Sequence, residues 1–158
     1  MPLRVIDIVE GTTVDGPGLR TSVYFAGCRH ACPGCHNPQS WDFSAGHEMT
    51  VEEIMQVIRE NDFDVTFSGG DPLYQPLDEL ARLAEAVHAC GHDVWCYTGF
   101  IYEDLIEDPR YQDILLNIDI LVDGPFVESL RDTRLHFRGS SNQRIIPLVS
   151  GRRVHRPE

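Results

Sequence analysis

Three cysteines within one short run, Cys28-Arg29-His30-Ala31-Cys32-Pro33-Gly34-Cys35, hold the most concentrated chemistry in this 158-residue chain. Thiolates are the ligands that zinc and iron–sulfur clusters use. A C-x3-C-x2-C spacing converges three sulfurs from a single loop, and Gly27 and Gly34 leave room beside them for a bulky group. Four thiolates complete a ferredoxin-like cluster, whereas three leave one iron open, as a catalytic metal keeps a position for its substrate. Competing readings are a Cys3His zinc site using His30 or His36, a thioredoxin-like dithiol at Cys32-Pro33-Gly34-Cys35, and three unconnected buried thiols. The dithiol leaves Cys28 unexplained. Five cysteines is an odd number, which argues against a fully paired disulfide framework. Cys90 and Cys96 fall at apolar positions of regular elements and read as structural thiols.

Other candidate groups are scattered along the chain. Ser68-Gly69-Gly70-Asp71-Pro72 follows a strand; two glycines admit a ligand close to the backbone, and Asp71 offers a carboxylate to a cationic group. Taken locally, Asp71-Pro72 is equally an ordinary helix start. Tyr97, Thr98 and Asp123 sit at strand ends, where they either line a pocket or satisfy strand-end amides. Asp15-Gly16-Pro17-Gly18 reads as a turn that Arg20 would order. Arg138 and Arg144 flank a polar Gly139-Ser140-Ser141-Asn142 segment, as solvated cations or as partners for a protein or a carboxylate. No convincing general acid–base pair is present.

The elements that must position these residues follow from apolar periodicity. Strands are expected at Arg4 to Val9, Ser22 to Ala26, Val65 to Ser68, Asp93 to Thr98, Ile118 to Asp123 and Arg144 to Val149. Thr50 and Glu53 form a capping box ahead of a helix whose apolar stripe is Ile54, Val57 and Ile58. Leu77, Leu80, Leu83, Ala84, Val87 and Cys90 share a second helical face, bounded by Pro76 and Gly91. Tyr102 to Leu116 is helical with a break at Pro109. Strands alternating with helices make an α/β fold, here a partial, open parallel βα barrel of four to six strands, with residues 1–158 forming one domain. Ligands gather at the C-terminal ends of such strands. Cys28, Gly69-Gly70-Asp71, Tyr97-Thr98 and Asp123-Gly124 all fall there.

Composition narrows the function classes. A net charge of −12 and the absence of a basic stripe speak against nucleic-acid binding. No run of about 18 apolar residues suggests a membrane span, and the first residues lack a signal-peptide pattern. A cytoplasmic protein is expected. All 13 basic residues are arginine, a feature without a physical explanation here.

The C-x3-C-x2-C loop after a first barrel strand resembles the signature of the radical S-adenosylmethionine superfamily. Cys32-Pro33-Gly34-Cys35-His36-Asn37 is similar to one branch, the glycyl-radical-enzyme activases that serve anaerobic ribonucleoside-triphosphate reductase. Thr13 to Arg20, Tyr97-Thr98-Gly99, Val122 to Phe126 and Arg138 to Arg144 resemble that branch in the same order. The resemblance implies a 4Fe–4S cluster on Cys28, Cys32 and Cys35. It also implies S-adenosylmethionine bound near Gly34, Ser68, Gly69, Gly70, Asp71, Thr98 and Asp123. Asp71 stands where the superfamily more often has Glu. Asp15, Arg20, Arg138 and Arg144 would serve the loop or the partner.

The implied chemistry is reductive cleavage of that cofactor and transfer of the radical to a glycine of the large reductase subunit. Flavodoxin or ferredoxin, as a small redox protein, would donate the electron. An open barrel side, with a polar, Arg-rich run after Val149, suits a protein substrate that seals the site itself. The alternatives are activation of another glycyl-radical enzyme, a small-molecule radical S-adenosylmethionine reaction, or a simple electron-transfer or zinc module.

Overall fold

The computed structural model describes residues 2–35, 40–149 and 152–153. The chain begins with an antiparallel hairpin, β1 (Leu3–Thr12) and β2 (Arg20–Phe25), and continues through β3 (His47–Met49) into helix α1 (Val51–Asn61). There follow β4 (Asp64–Gly69), α2 (Leu77–Ala89), β5 (Val94–Tyr97), α3 (Tyr102–Glu107), α4 (Gln112–Leu116), β6 (Ile120–Asp123), β7 (Arg144–Val149) and β8 (Arg152–Arg153). Sheet order is β3-β1-β2-β4-β5-β6-β7-β8. The four central strands β2, β4, β5 and β6 run parallel, and all other pairings are antiparallel.

All six strands expected from periodicity are present. The sheet is wider than the four to six foreseen, because β3 and β8 extend its edges. Neither added strand exceeds three residues, too few to establish an alternation.

The two faces of the parallel strands differ because side chains alternate. Val23, Phe25, Val65, Phe67, Val94, Cys96 and Leu121 are fully buried in one core with Ile54, Met55 and Ile58 of α1, Leu80, Leu83, Ala84 and Val87 of α2, and Leu105, Ile114 and Leu115 of α3 and α4. The opposite face carries Tyr24, Thr66, Ser68, Trp95 and Tyr97, a polar and aromatic surface facing the barrel interior. Apolar contact therefore fixes the helices to the outside, and the polar set is left for the site.

Local signals set the helix ends. Thr50 Oγ1 accepts from the Glu53 amide while Glu53 Oε1 accepts from the Thr50 amide, both at 3.1 Å, which is the capping box read from the sequence. Helix α2 stops at Ala89, and Gly91 adopts a φ of +83° just beyond it. Cys90 is consequently the C-cap and is exposed, rather than part of the buried helical face expected for it. Cys96 is buried among the core residues between sheet and helices, where burial pushes its thiol well up. Among the described residues, no helix is long and apolar enough to cross a membrane.

Candidate functional site

The three cysteines lie on the loop that leaves the C-terminal end of β2. Gly27 donates to the Ser40 carbonyl at 2.7 Å, Cys28 donates to the Trp41 carbonyl at 3.3 Å, and the Cys35 amide closes on the Cys32 carbonyl at 3.1 Å. Ala31 (φ +49°) and Gly34 (φ +75°) take left-handed conformations that curl the chain between the thiols. Gly34 has a tertiary reason as well: a Cβ there would lie 2.9 Å from the Glu128 side chain.

Cys28, Cys32 and Cys35 are all partly buried. Burial pushes Cys28 up to about 11, partly offset by a backbone hydrogen bond from His30, with Asp71, Cys32 and Cys35 adding repulsion. Burial also raises Cys32, against a hydrogen bond from the Phe126 backbone. The thiols thus lie within electrostatic reach of one another, in a place where three thiolates need a cation between them. Among the described residues no three His, Cys, Asp or Glu side chains are already drawn into a metal-holding set. The donor chemistry fits an iron–sulfur cluster: three sulfurs on one loop, with His30 turned away to Asp71, its Nε2 at 2.6 Å from Oδ2. His36 and Asn37 lie outside the described residues.

Asp71 is buried at the end of β4 and gathers four donors. The Leu73 amide reaches Oδ1 at 2.9 Å. Thr98 Oγ1 and the Gly99 amide each reach Oδ2 at 2.9 Å, beside His30. The helix-start reading of Asp71-Pro72 therefore holds for the one-turn 3-10 helix Pro72–Tyr74. The same carboxylate also ties together three loops. Gly69 and Gly70 differ from expectation in what approaches them. A Cβ on Gly69 would lie 2.4 Å from the Phe25 backbone, and one on Gly70 2.6 Å from the Gly27 carbonyl. The glycines admit the neighbouring strand end, not a ligand, on that side.

Asp123 is fully buried and accepts from the Tyr102 amide at 2.8 Å and from Arg144 at 3.0 and 2.5 Å. Arg144 also reaches Glu103 at 2.6 Å. It is a paired cross-strand cation and not a solvated one, and hydrogen bonds to Asp123 and Glu103 raise its pKa. Thr98 and Asp123 consequently brace the strand ends from behind.

A cavity of about 430 Å³ occupies the barrel interior. Its lining includes Cys35, Ser68, Tyr97 and Asp15 together with Phe126, Phe137 and Arg138. Val14, on its lip, is 73% exposed, so the cavity reaches solvent. A second cavity of about 360 Å³ shares Asp15 and Ser68 and adds Tyr24, Ser40 and Gly69. Asp15 accepts from the Tyr24 hydroxyl, and its carbonyl accepts from Thr66 Oγ1 at 2.8 Å. Burial, then Asp15, pushes the Tyr24 phenol upward.

Arg20, buried, donates to the Pro17 carbonyl at 3.1 Å, to Thr66 Oγ1 at 2.9 Å and to the Val65 carbonyl at 2.9 Å. It also pairs with Asp93. The Pro17 bond links this side chain to the Asp15-Gly18 turn. Arg138 donates to the Gln143 carbonyl at 3.1 Å, and its buried Nε has no partner among the described residues. Gln143 and Asn142 bond Gly124 and Pro125 carbonyls, tying that loop to β6. The residue that sequence reasoning undervalued is His30, weighed only as a zinc ligand; its place midway between Cys28 and Cys32 was the available signal.

Residues 14–146 match the family model of a 4Fe-4S single cluster domain. Over 139 residues the chain is 38% identical to the anaerobic ribonucleoside-triphosphate reductase-activating protein of Salmonella typhi, spanning 82% of this chain and 89% of that one. The protein of the same name from Escherichia coli strain K12 is 37% identical with the same coverage. That of Enterobacteria phage T4 is 34% identical over 145 residues, 87% of this chain and 90% of that one. Among solved structures, QueE from Escherichia coli shares the fold at a TM-score of 0.50 and 17% identity, over 63% of this chain and 53% of that one.

Proposed function

The chain belongs to the anaerobic ribonucleoside-triphosphate reductase-activating proteins, and from that membership we propose that it cleaves S-adenosylmethionine reductively and installs a glycyl radical on the large reductase subunit. The observation that carries the proposal is the set of three partly buried thiols at the C-terminal end of β2, with Cys35 opening into the barrel cavity. Cys28, Cys32 and Cys35 would hold the 4Fe–4S cluster. When bound there, the cluster and S-adenosylmethionine would together supply one-electron reductive cleavage of the cofactor, to methionine and 5′-deoxyadenosine, with the hydrogen atom drawn from the partner's glycine.

The chain's own residues bind, orient and exclude water. Ser68, Tyr97 and Asp15 would receive the polar parts of S-adenosylmethionine, with Gly34, Gly69 and Gly70 shaping the wall. Arg138, whose Nε lacks a partner among the described residues, would face its carboxylate. Phe126, Leu135 and Phe137 give the cavity an apolar wall that keeps solvent from a carbon radical. Thr98, Asp123 and Arg144 hold the strand ends, and Arg20 holds the turn that carries Asp15. The reductase segment would close the side next to exposed Val14, and a flavodoxin or ferredoxin would supply the electron. No general base is required.

The test is anaerobic reconstitution with iron and sulfide, followed by dithionite and S-adenosylmethionine. Equal amounts of 5′-deoxyadenosine and methionine are expected. Stoichiometric zinc with no iron uptake, or iron uptake with no cleavage, would overturn the proposal.

A further inference from the structure

We propose that His30 is a positioning residue for the cysteine loop, latched by Asp71, and that the Asp71 carboxylate is spent on this latch rather than on a ligand. The inference rests on the reading of that loop as the cluster site, and it assigns Asp71 a different task from the one the sequence suggested.

A carboxylate offers about four acceptor positions. On Asp71 the Leu73 amide takes Oδ1 at 2.9 Å, while Thr98 Oγ1, the Gly99 amide and His30 Nε2 crowd Oδ2 at 2.9, 2.9 and 2.6 Å. The residue is 1% exposed and lines neither of the two cavities described above, so its carboxylate faces these donors and not an incoming ammonium group. Nε2 faces a buried carboxylate at 2.6 Å, and hydrogen bonds from an imidazole N–H to a carboxylate are among the strong ones. The seat for the ring is equally specific. His30 packs against Phe100 at 4.7 Å and Tyr74 at 5.3 Å between centroids. A Cβ on Gly99 would fall 2.5 Å from the imidazole, so only glycine leaves the ring its place.

His30 stands two residues after Cys28 and two before Cys32. Fixing its side chain on β4 and β5 therefore fixes the segment between two thiols, adding to the Cys28 amide bond to Trp41, the Arg29 guanidinium over the Phe43 ring and the Cys32 contact with Phe126. The Asp71 amide, bonded to the Gly27 carbonyl at 2.8 Å, anchors the loop's near end as well. The ends of β4 and β5 and the start of the cysteine loop thus move as one unit.

The experiment separates the bond from the packing. His30→Gln places an amide nitrogen the same number of bonds from Cβ as Nε2 and keeps a donor for Asp71, but loses the ring. His30→Phe keeps the ring and loses the donor. Amide hydrogen exchange is measured on the full metal-free chain, with helix α2 as the control for folding. In His30→Phe and Asp71→Asn, exchange of Arg29 to Cys35 should rise about ten- to a hundredfold, the range for losing a charge-assisted bond from a local opening equilibrium. In His30→Gln it should stay near the parent value. In the reconstituted protein, the reduced-cluster electron paramagnetic resonance signal should broaden in His30→Phe and sharpen again in His30→Gln.

Protection kept by Phe and lost by Gln would reduce His30 to packing and overturn the latch. So would Asp71→Asn weakening S-adenosylmethionine binding with loop protection unchanged, since Asp71 would then be a ligand. Because exchange is read without metal, a parent protein that fails to cleave S-adenosylmethionine would count against the proposed function and not against the latch.

Discussion

Replacing Arg144 by methionine tests how the end of β6 is held. Asp123 has no solvent exposure and accepts three hydrogen bonds, two of them from Arg144. Removing the guanidinium leaves a buried carboxylate with only the Tyr102 amide. Breaking a buried ion pair from one side costs about 3–5 kcal/mol. Arg144 is 34% exposed, so water can enter along its path, which discounts the cost to about 2–4 kcal/mol. With a urea slope of about 2 kcal/mol/M, the unfolding midpoint should fall by about 1–2 M. Glu103→Gln, which removes only the 54% exposed partner, should cost about 0–1 kcal/mol. The double variant Asp123→Asn with Arg144→Met should recover part of the loss, because no buried charge remains. A midpoint shift under about 0.3 M for Arg144→Met, or a double variant no more stable than the single one, would refute the reasoning.

Cys28→Ala, Cys32→Ala or Cys35→Ala should each abolish cluster incorporation, measured as iron and sulfide per chain, while Cys90→Ala and Cys96→Ala retain it. A requirement for Cys90 or Cys96 would break the three-ligand assignment. The metal-free protein should lose stability as pH rises from about 9 towards 11. Burial raises Cys28, Cys32, Cys96, Tyr24 and Tyr97, so above their ordinary values the folded state keeps protons that the unfolded chain releases. Urea midpoints measured across that range check the sign, and a rising midpoint would contradict it.

Much of the fold was legible because its signals are local. The Thr50–Glu53 box, the Pro109 break and the glycines that close the strands each act within a few residues. The antiparallel edges were not, since a strand's direction is decided by its neighbour and not by its own residues. The Asp123–Arg144 pair is a cross-strand register pair and would have followed at once from knowing that β6 and β7 are adjacent.

In the site, the cysteine spacing was readable from one loop. The partners of Gly69, Gly70 and Gly99 were not, because what crowds each glycine comes from a segment distant in sequence. Cys90 was misplaced because helical periodicity does not say where a helix stops; Gly91 does, and it ends α2 one residue earlier than the apolar stripe suggests.

The central claim is radical transfer to a protein glycine. Its most direct measurement mixes the reduced, reconstituted protein with S-adenosylmethionine and the anaerobic reductase without oxygen, then records the electron paramagnetic resonance spectrum. The account predicts a doublet that collapses when the reductase glycine carries deuterium at its α-carbon. No radical with a matched reductase, but one on a different glycyl-radical enzyme, would contradict it.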